Sequence, residues 1–216
     1  MSRARIRLVA AGAGLILVLS SCATGRSVST ASGPGGAASP RPTSGTLTPA
    51  ARLALAACPR PGSPPLSGDT KALGRGRLRC LGPGPAVDVT TLGGSRPVLV
   101  NLWASWCDPC RREMPRLERA ATLAGDRLMV LGIDTLDSAR SATEFLTAVQ
   151  VTYPQLADPN GQVRAHIGAI GLPVTLLITP SGQVSYRKLG ELHPSDLVAV
   201  LAKAGIPARA DQLEGG

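Results

Sequence analysis

The sequence predicts an α/β domain built on a central mixed β-sheet with helices on both faces, and two observations carry that expectation. Three nearly continuous apolar runs, Pro97 to Ala104, Arg127 to Asp134 and Leu172 to Ile178, read as strands buried on both faces, since a strand covered on one side alternates apolar with polar residues. Around them lie segments with apolar residues at helical spacing. The order is strand, helix, strand, then a strand hairpin and a last helix, which implies parallel and antiparallel pairings in one sheet. No internal repeat is present.

The 216 residues hold more than this domain. Up to Pro49 the chain is dominated by Ser, Gly, Ala, Thr and Pro, which bury too little apolar surface to offset their ordering entropy. About 160 residues remain, enough for a single core. Residues 1–21 read as a secretory signal peptide: Arg3, Arg5 and Arg7 precede an apolar stretch, Leu8 to Leu19, too short to span a bilayer comfortably. The following Leu19-Ser20-Ser21-Cys22 resembles the lipobox of bacterial lipoproteins, in which the cysteine becomes the new N-terminus and carries diacylglycerol. Ordinary cleavage nearby and an uncleaved anchor are the alternatives. Residues 22–48 form a lipidated, flexible tether, punctuated by Gly33-Pro34-Gly35-Gly36 and Pro40-Arg41-Pro42, with a reach of roughly 25–30 Å. Residues 49–206 make the domain and 207–216 a C-terminal tail. The expected location is extracytoplasmic, on the bacterial cell membrane.

Within the domain, Thr48-Pro49 starts a short helix through Ala57, which Cys58-Pro59 ends. Arg77 to Leu81 and Ala86 to Thr90 flank Gly82-Pro83-Gly84-Pro85 and pair as a hairpin. After the first buried strand, Asp108 to Leu123 is helical, with Met114, Leu117, Ala120 and Ala121 on one face. After the second, Ser138 to Val149 is helical, capped by Asp137 or Ser138. Tyr153 to Ala157 is a short strand and Gly161 to Ile167 a short helix. The third buried strand turns at Pro180-Ser181-Gly182 into Gln183 to Leu189. Pro194 to Ala204 closes as an amphipathic helix, capped by His193 or Ser195.

The formal charge of +9 shrinks on inspection, because from Cys22 onward 20 basic residues face 14 acidic ones. Five aromatic residues are too few for a base-stacking surface, so nucleic acid is not an expected partner. A mildly basic surface facing anionic headgroups or acidic partners is the plainer reading, and Arg75, Arg77 and Arg79 read by default as a solvated loop. Five cysteines are an odd number for an exported chain. Lipidation of Cys22 leaves four. Cys107 and Cys110 are close enough to pair, and Cys58 with Cys80 then forms a structural disulfide, worth roughly 3 kcal/mol in the chain-entropy model. A second catalytic pair is the alternative.

The chemistry concentrates in Trp103-Ala104-Ser105-Trp106-Cys107-Asp108-Pro109-Cys110. A C-x-x-C after a buried strand, at the first turn of a helix, places its first sulfur where unpaired N–H groups and a partial positive charge stabilise a thiolate. That thiolate is the nucleophile of disulfide exchange, and Cys110 sits one turn on, placed to attack a mixed disulfide. Pro109 suits the helix start. Zinc is disfavoured, since no second close pair follows and neither His166 nor His193 is in register with one; no metal site is expected. Haem attachment fails because Arg111, not His, follows Cys110. An inert disulfide remains as the plain alternative.

WASWCDPCRREMP, together with Gly171-Leu172-Pro173-Val174-Thr175, resembles the thioredoxin superfamily, and more narrowly its membrane-anchored TlpA/ResA/CcmG branch, over residues 77 to 204. The resemblance implies a thioredoxin-like fold with an N-terminal hairpin extension and a central insertion at Ser138 to Ala157. It implies a cis Pro173 beside the cysteines, with the Leu172 backbone bonding an extended substrate; a trans proline starting a strand is the alternative. Asn101 stands where thioredoxin has a buried acid, and it cannot titrate. Glu113 matches the glutamate of the branch's CxxE pattern and becomes the candidate proton-transfer group. The alternative is a solvated glutamate paired with Arg116 or Arg119. Trp106 is expected partly exposed, shielding the sulfur and touching partners, and Trp103 buried. Ala104 lacks the hydroxyl that a T-x-x-C peroxidase needs. The implied activity is thiol–disulfide oxidoreduction with no cofactor beyond the Cys107–Cys110 disulfide, by a monomer. Its partners would be cysteine-containing exported proteins, apocytochrome c among them, and a membrane thiol carrier as electron donor. Reduction is the expected direction. An oxidant or isomerase and a non-catalytic peptide-binding module are the alternatives, because Asp108 opposes a thiolate while Arg111 and Arg112 favour it, each by at most about 1 kcal/mol.

Overall fold

Alternation along one strand decides the layering. β3 (Val98–Trp103) is buried along its whole length, as its unbroken apolar run requires. Leu99 and Trp103 pack on one face with Met114, Leu117, Phe145 and Leu197. Val98, Val100 and Leu102 pack on the other with Leu131, Ile133 and Leu176. The computed structural model from which this is read describes residues 55–60, 71–92 and 94–214. The expected signal peptide, Cys22, the tether and most of the helix expected at Thr48 to Ala57 lie outside the described residues.

β3 pairs in parallel with β4 (Met129–Thr135) and antiparallel with β6 (Val174–Ile178). β4 continues in parallel to β5 (Gln155–Asp158), and β6 turns antiparallel into β7 (Val184–Leu189). The expected hairpin forms as β1 (Arg77–Cys80) and β2 (Val87–Asp88), and β1 joins the sheet antiparallel to β5. The order is β2-β1-β5-β4-β3-β6-β7, a seven-stranded mixed sheet.

Helices α1 (Asp108–Ala124), α2 (Ala139–Ala148) and α4 (Pro194–Lys203) bury their apolar stripes on the Trp103 face. The short α3 (Gln162–His166) buries Val163 on the other. Local chemistry sets the boundaries. The Ser138 hydroxyl accepts from Ser141 N at 3.0 Å and caps α2; Asp196 accepts from His193 N at 3.0 Å at the start of α4. Gly125 stops α1 at φ 52°, a backbone that costs a side chain strain. Segment 138–157, expected as an insertion, carries α2 and the start of β5, which enters the sheet between β1 and β4. Within the stretch read as a tail, Leu213 is fully buried in the same cluster as Trp103 while residues 209–212 are exposed.

The hairpin is fastened to what precedes it. Cys58 and Cys80 form a disulfide with Cα atoms 6.0 Å apart. Cys58 N donates to Pro83 O at 3.0 Å and Ala56 N to Thr152 O at 2.6 Å. Beneath the helices a polar row crosses the sheet, with Thr175, Asn101, Gly132 and Gln155 in register on neighbouring strands. Gly132 makes that row possible, because a Cβ there would overlap the Gln155 carboxamide. Gln155 uses the space to accept from the Trp103 indole N–H at 2.9 Å.

A Gly132→Ala substitution should therefore displace Gln155 and leave the buried indole N–H unpaired. The expected loss is about 1–3 kcal/mol of unfolding free energy, measured by urea denaturation. A variant as stable as the parent would contradict this role for the glycine.

Candidate active site

The site forms where β3 ends and α1 begins. Cys107 is the N-cap of α1, with φ −91° and ψ 102°, and Pro109 lies in the first turn. The Cys107 sulfur accepts from Cys110 N at 3.3 Å, filling the position that a Ser or Asp oxygen usually takes. Cys107 and Cys110 are joined in a disulfide with Cα atoms 5.3 Å apart. Cys107 is 5% exposed and Cys110 is fully buried, so only the first sulfur has any access to solvent.

The loop before Cys107 is held from three sides. Ser105 N donates to Asp137 Oδ2 at 2.7 Å. The Ser105 carbonyl accepts from the Arg111 guanidinium at 3.0 Å, while that guanidinium lies 4.6 Å above the Phe145 ring. The Trp106 indole N–H donates to Leu136 O at 3.2 Å, yet the residue remains 60% exposed. Trp103 is buried, with its ring 5.5 Å from that of Phe145. The two tryptophans thus divide as expected, one on the surface beside the sulfur and one in the core.

Across the sheet, the Leu172–Pro173 peptide is cis. β6 begins directly after it, with Val174 opposite Leu102 of β3, so Pro173 lies at the strand end from which Cys107 emerges. Leu172 is partly buried against the cluster that contains Cys107 and Cys110. Its neighbour Ile170 is 92% exposed.

Glu113 is fully buried, so the solvated pairing with Arg116 or Arg119 does not form. Arg116 instead binds Glu191 at 2.9 Å. Glu113 Oε1 accepts from Asn101 Nδ2 at 2.7 Å, and Oε2 accepts from Leu192 N at 2.6 Å. The same Asn101 amide donates to Thr175 Oγ1 at 3.2 Å. Burial pushes the Glu113 carboxyl up to about 7, against the pull of the Leu192 and Asn101 hydrogen bonds. Three residues beyond Cys110 on a helix is one turn, the spacing at which side chains meet. The carboxyl one helical turn from Cys110 can therefore take or give a proton near neutrality.

Three contributors were not singled out from the sequence. Asp134, at the end of β4, is 1% exposed, and its carboxyl is pushed up to about 8 by burial first and then by Asp137 and Asp158. Asp137 anchors Ser105, and Gln155 anchors Trp103. The available signal was position, since functional groups gather at the carboxyl ends of strands in open α/β sheets. No group of three or more His, Cys, Asp or Glu side chains among the described residues could hold a metal ion.

Residues 82–187 match the model of the AhpC/TSA family. The thiol:disulfide interchange protein DsbE of Escherichia coli is 33% identical over 120 residues, which cover 55% of this chain and 63% of the relative. The thiol:disulfide interchange protein HelX of Rhodobacter capsulatus is 33% identical over 120 residues, covering 50% of this chain and 66% of the relative. A secreted thiol-disulfide isomerase of Corynebacterium glutamicum superposes with a TM-score of 0.54 at 25% identity, over 61% of this chain and 84% of that one. The described domain has the thioredoxin-like fold. The chain spans less than two thirds of the length of the curated relatives just described.

In this thioredoxin-like domain the Glu113 carboxyl gives folding a pH dependence of definite sign. Its proton is held to higher pH in the folded chain than in the unfolded one, so its contribution falls as pH rises from about 4.5 to about 7. The full effect is on the order of 3 kcal/mol. Relative to the parent, Glu113→Gln should gain stability progressively across that window in denaturant titrations. Parallel pH curves for the two proteins would contradict the burial of an ionisable Glu113.

Proposed function

We propose that this chain is an extracytoplasmic thiol–disulfide oxidoreductase that reduces disulfides in exported proteins, apocytochrome c cysteines among them. The observation that carries the reading is the Cys107 sulfur standing as N-cap of α1 and bonded to Cys110, with the cis Leu172–Pro173 peptide at the same end of the sheet. Relatives named as thiol:disulfide interchange proteins, DsbE and HelX among them, supply the reaction class.

The chemistry follows from the geometry. In the reduced protein the Cys107 thiolate is stabilised by the Cys110 N–H and the positive end of the helix. It attacks one sulfur of a substrate disulfide and expels the other as a thiolate, which takes a proton from solvent. Cys110 gives its proton to Glu113 and attacks the Cys107 sulfur of the mixed disulfide. The second substrate sulfur leaves as a thiolate and is protonated in turn. Substrate gains two electrons and two protons, and the domain returns to the disulfide form, which a membrane thiol carrier would reduce again. Trp106 and the Leu172 backbone are assigned to substrate contact. Cys58–Cys80 is assigned as a structural disulfide, and Cys22 as the lipid attachment holding the protein at the membrane. No cofactor takes part.

A second reading has an observation of its own. The superposed Corynebacterium glutamicum protein is described as a thiol-disulfide isomerase, and the same cysteines would serve reshuffling.

Cys110→Ser should accumulate a mixed disulfide with a cystine-containing peptide, visible by non-reducing mass spectrometry and absent in Cys107→Ser. In the reduced parent, iodoacetamide should label Cys107 before Cys110. Labelling in the opposite order, or full activity in Cys107→Ser, would overturn the assignment.

A further inference from the structure

The excess of basic over acidic residues lies in the N-terminal part of this chain. Residues 1–92 contain 11 Lys and Arg against 2 Asp and Glu, whereas residues 93–214 contain 12 of each. Without Arg3, Arg5 and Arg7 of the expected signal peptide, residues 22–92 still hold 8 basic residues against 2 acidic ones, and the region that builds the candidate active site is balanced. Such asymmetry between parts of a chain marks contact with a polyanionic surface.

Part of that charge is presented by folded structure. In β1 the side chains alternate, with Leu78 buried and Arg77 and Arg79 exposed, so both arginines project from the same side of the hairpin strand. Arg75, two residues before, is exposed as well. The only acid from residue 71 to residue 92 is Asp88, whose carboxyl is held below its usual range by the Thr90 hydrogen bonds and then by Arg77 and Arg75.

Position supplies the second argument. The described chain enters the domain at this hairpin, through Ala56 bonded to Thr152, Cys58 N bonded to Pro83 O, and the Cys58–Cys80 disulfide. Whatever holds the upstream residues at a membrane therefore pulls on the hairpin first. β1 lies three strands from β3 in the sheet, and Arg79 stands in the same cross-sheet row as Ala157, Asp134 and Trp103, so the arginines sit towards the sheet end from which Cys107 emerges but to one side of it.

We propose that Arg75, Arg77 and Arg79 dock the hairpin onto an anionic phospholipid surface, setting the domain on the lipid by the side of the sheet three strands from β3. The inference rests on the membrane-held reading above. Three basic side chains at such a surface are expected to strengthen association on the order of 100-fold.

The test is arginine footprinting of the full chain. Protein is mixed with vesicles of phosphatidylglycerol and phosphatidylcholine in equal parts, or of phosphatidylcholine alone, and treated with phenylglyoxal before peptide mass spectrometry. Phosphatidylglycerol should slow modification of Arg75, Arg77 and Arg79 while Arg112 and Arg209 react unchanged. Raising the salt to 1 M, where charges are screened within about 3 Å, should abolish the protection. Equal footprints on both vesicles would overturn the proposal. Equal protection by a DNA duplex would also overturn it, as a patch for any polyanion. Sedimentation with phosphatidylcholine vesicles reports the anchor separately, so a missing anchor and a missing docking surface give different results.

Discussion

A helix start leaves backbone N–H groups without partners, and here a cysteine sulfur takes one of them. Cys107 Sγ can hold that place only if the chain arrives along β3 with its end fixed, and much of the domain serves that end. β3 is buried on both faces by the two apolar clusters. Asp137, Arg111 and Leu136 then bind the backbone of Ser105 and the indole of Trp106, so the two residues before the sulfur are tied to α1 and to the turn before α2. None of these ties involves the sulfur–sulfur bond itself. The thiolate is thus released at the positive end of a helix already in place, where the dipole favours it by about 0.3–1 kcal/mol and up to about 2 when partly buried.

The same burial raises the two carboxyls beneath the site. Glu113 and Asp134 both lie on the Trp103 side of the sheet and both are held towards protonation near neutrality, chiefly by desolvation. Their surroundings differ in what they do for the charge. Glu113 receives hydrogen bonds on both oxygens, from Asn101 and Leu192, which temper the cost of ionisation and suit a group that cycles between states. Asp134 Oδ1 has no hydrogen-bond partner and faces the acids Asp137 and Asp158. Asn101 supplies a neutral donor, which leaves Glu113 as the single carboxyl hydrogen-bonded within the row of Thr175 and Asn101.

The parts that were legible in the sequence are those decided locally. The buried strands show as apolar runs, the hairpin as Gly82-Pro83-Gly84-Pro85 between short patterned segments, and the start of α1 as Cys107-Asp108-Pro109. Glu113 was not legible in full. Its spacing from Cys110 fitted both a buried and a solvated side chain, and the choice is made by Leu192 N, 79 residues away in the chain. Asp134 closed an apolar strand like any terminal residue, and only α1 and α2 folding over that face bury it. Leu213 lay in a stretch too short and polar to read as packed, and it is held by the last turns of the domain around Ala210 and Gln212.

The charges around Cys107 nearly cancel, so the potential of the couple decides the direction of electron flow. The equilibrium potential of the Cys107–Cys110 couple in the full chain, titrated against dithiothreitol with Trp106 fluorescence as reporter, addresses it directly. A midpoint near that of thioredoxin, about −270 mV, is the result expected of a reductase fed by a membrane thiol carrier. A midpoint near about −120 mV, that of a strong oxidant, would contradict it.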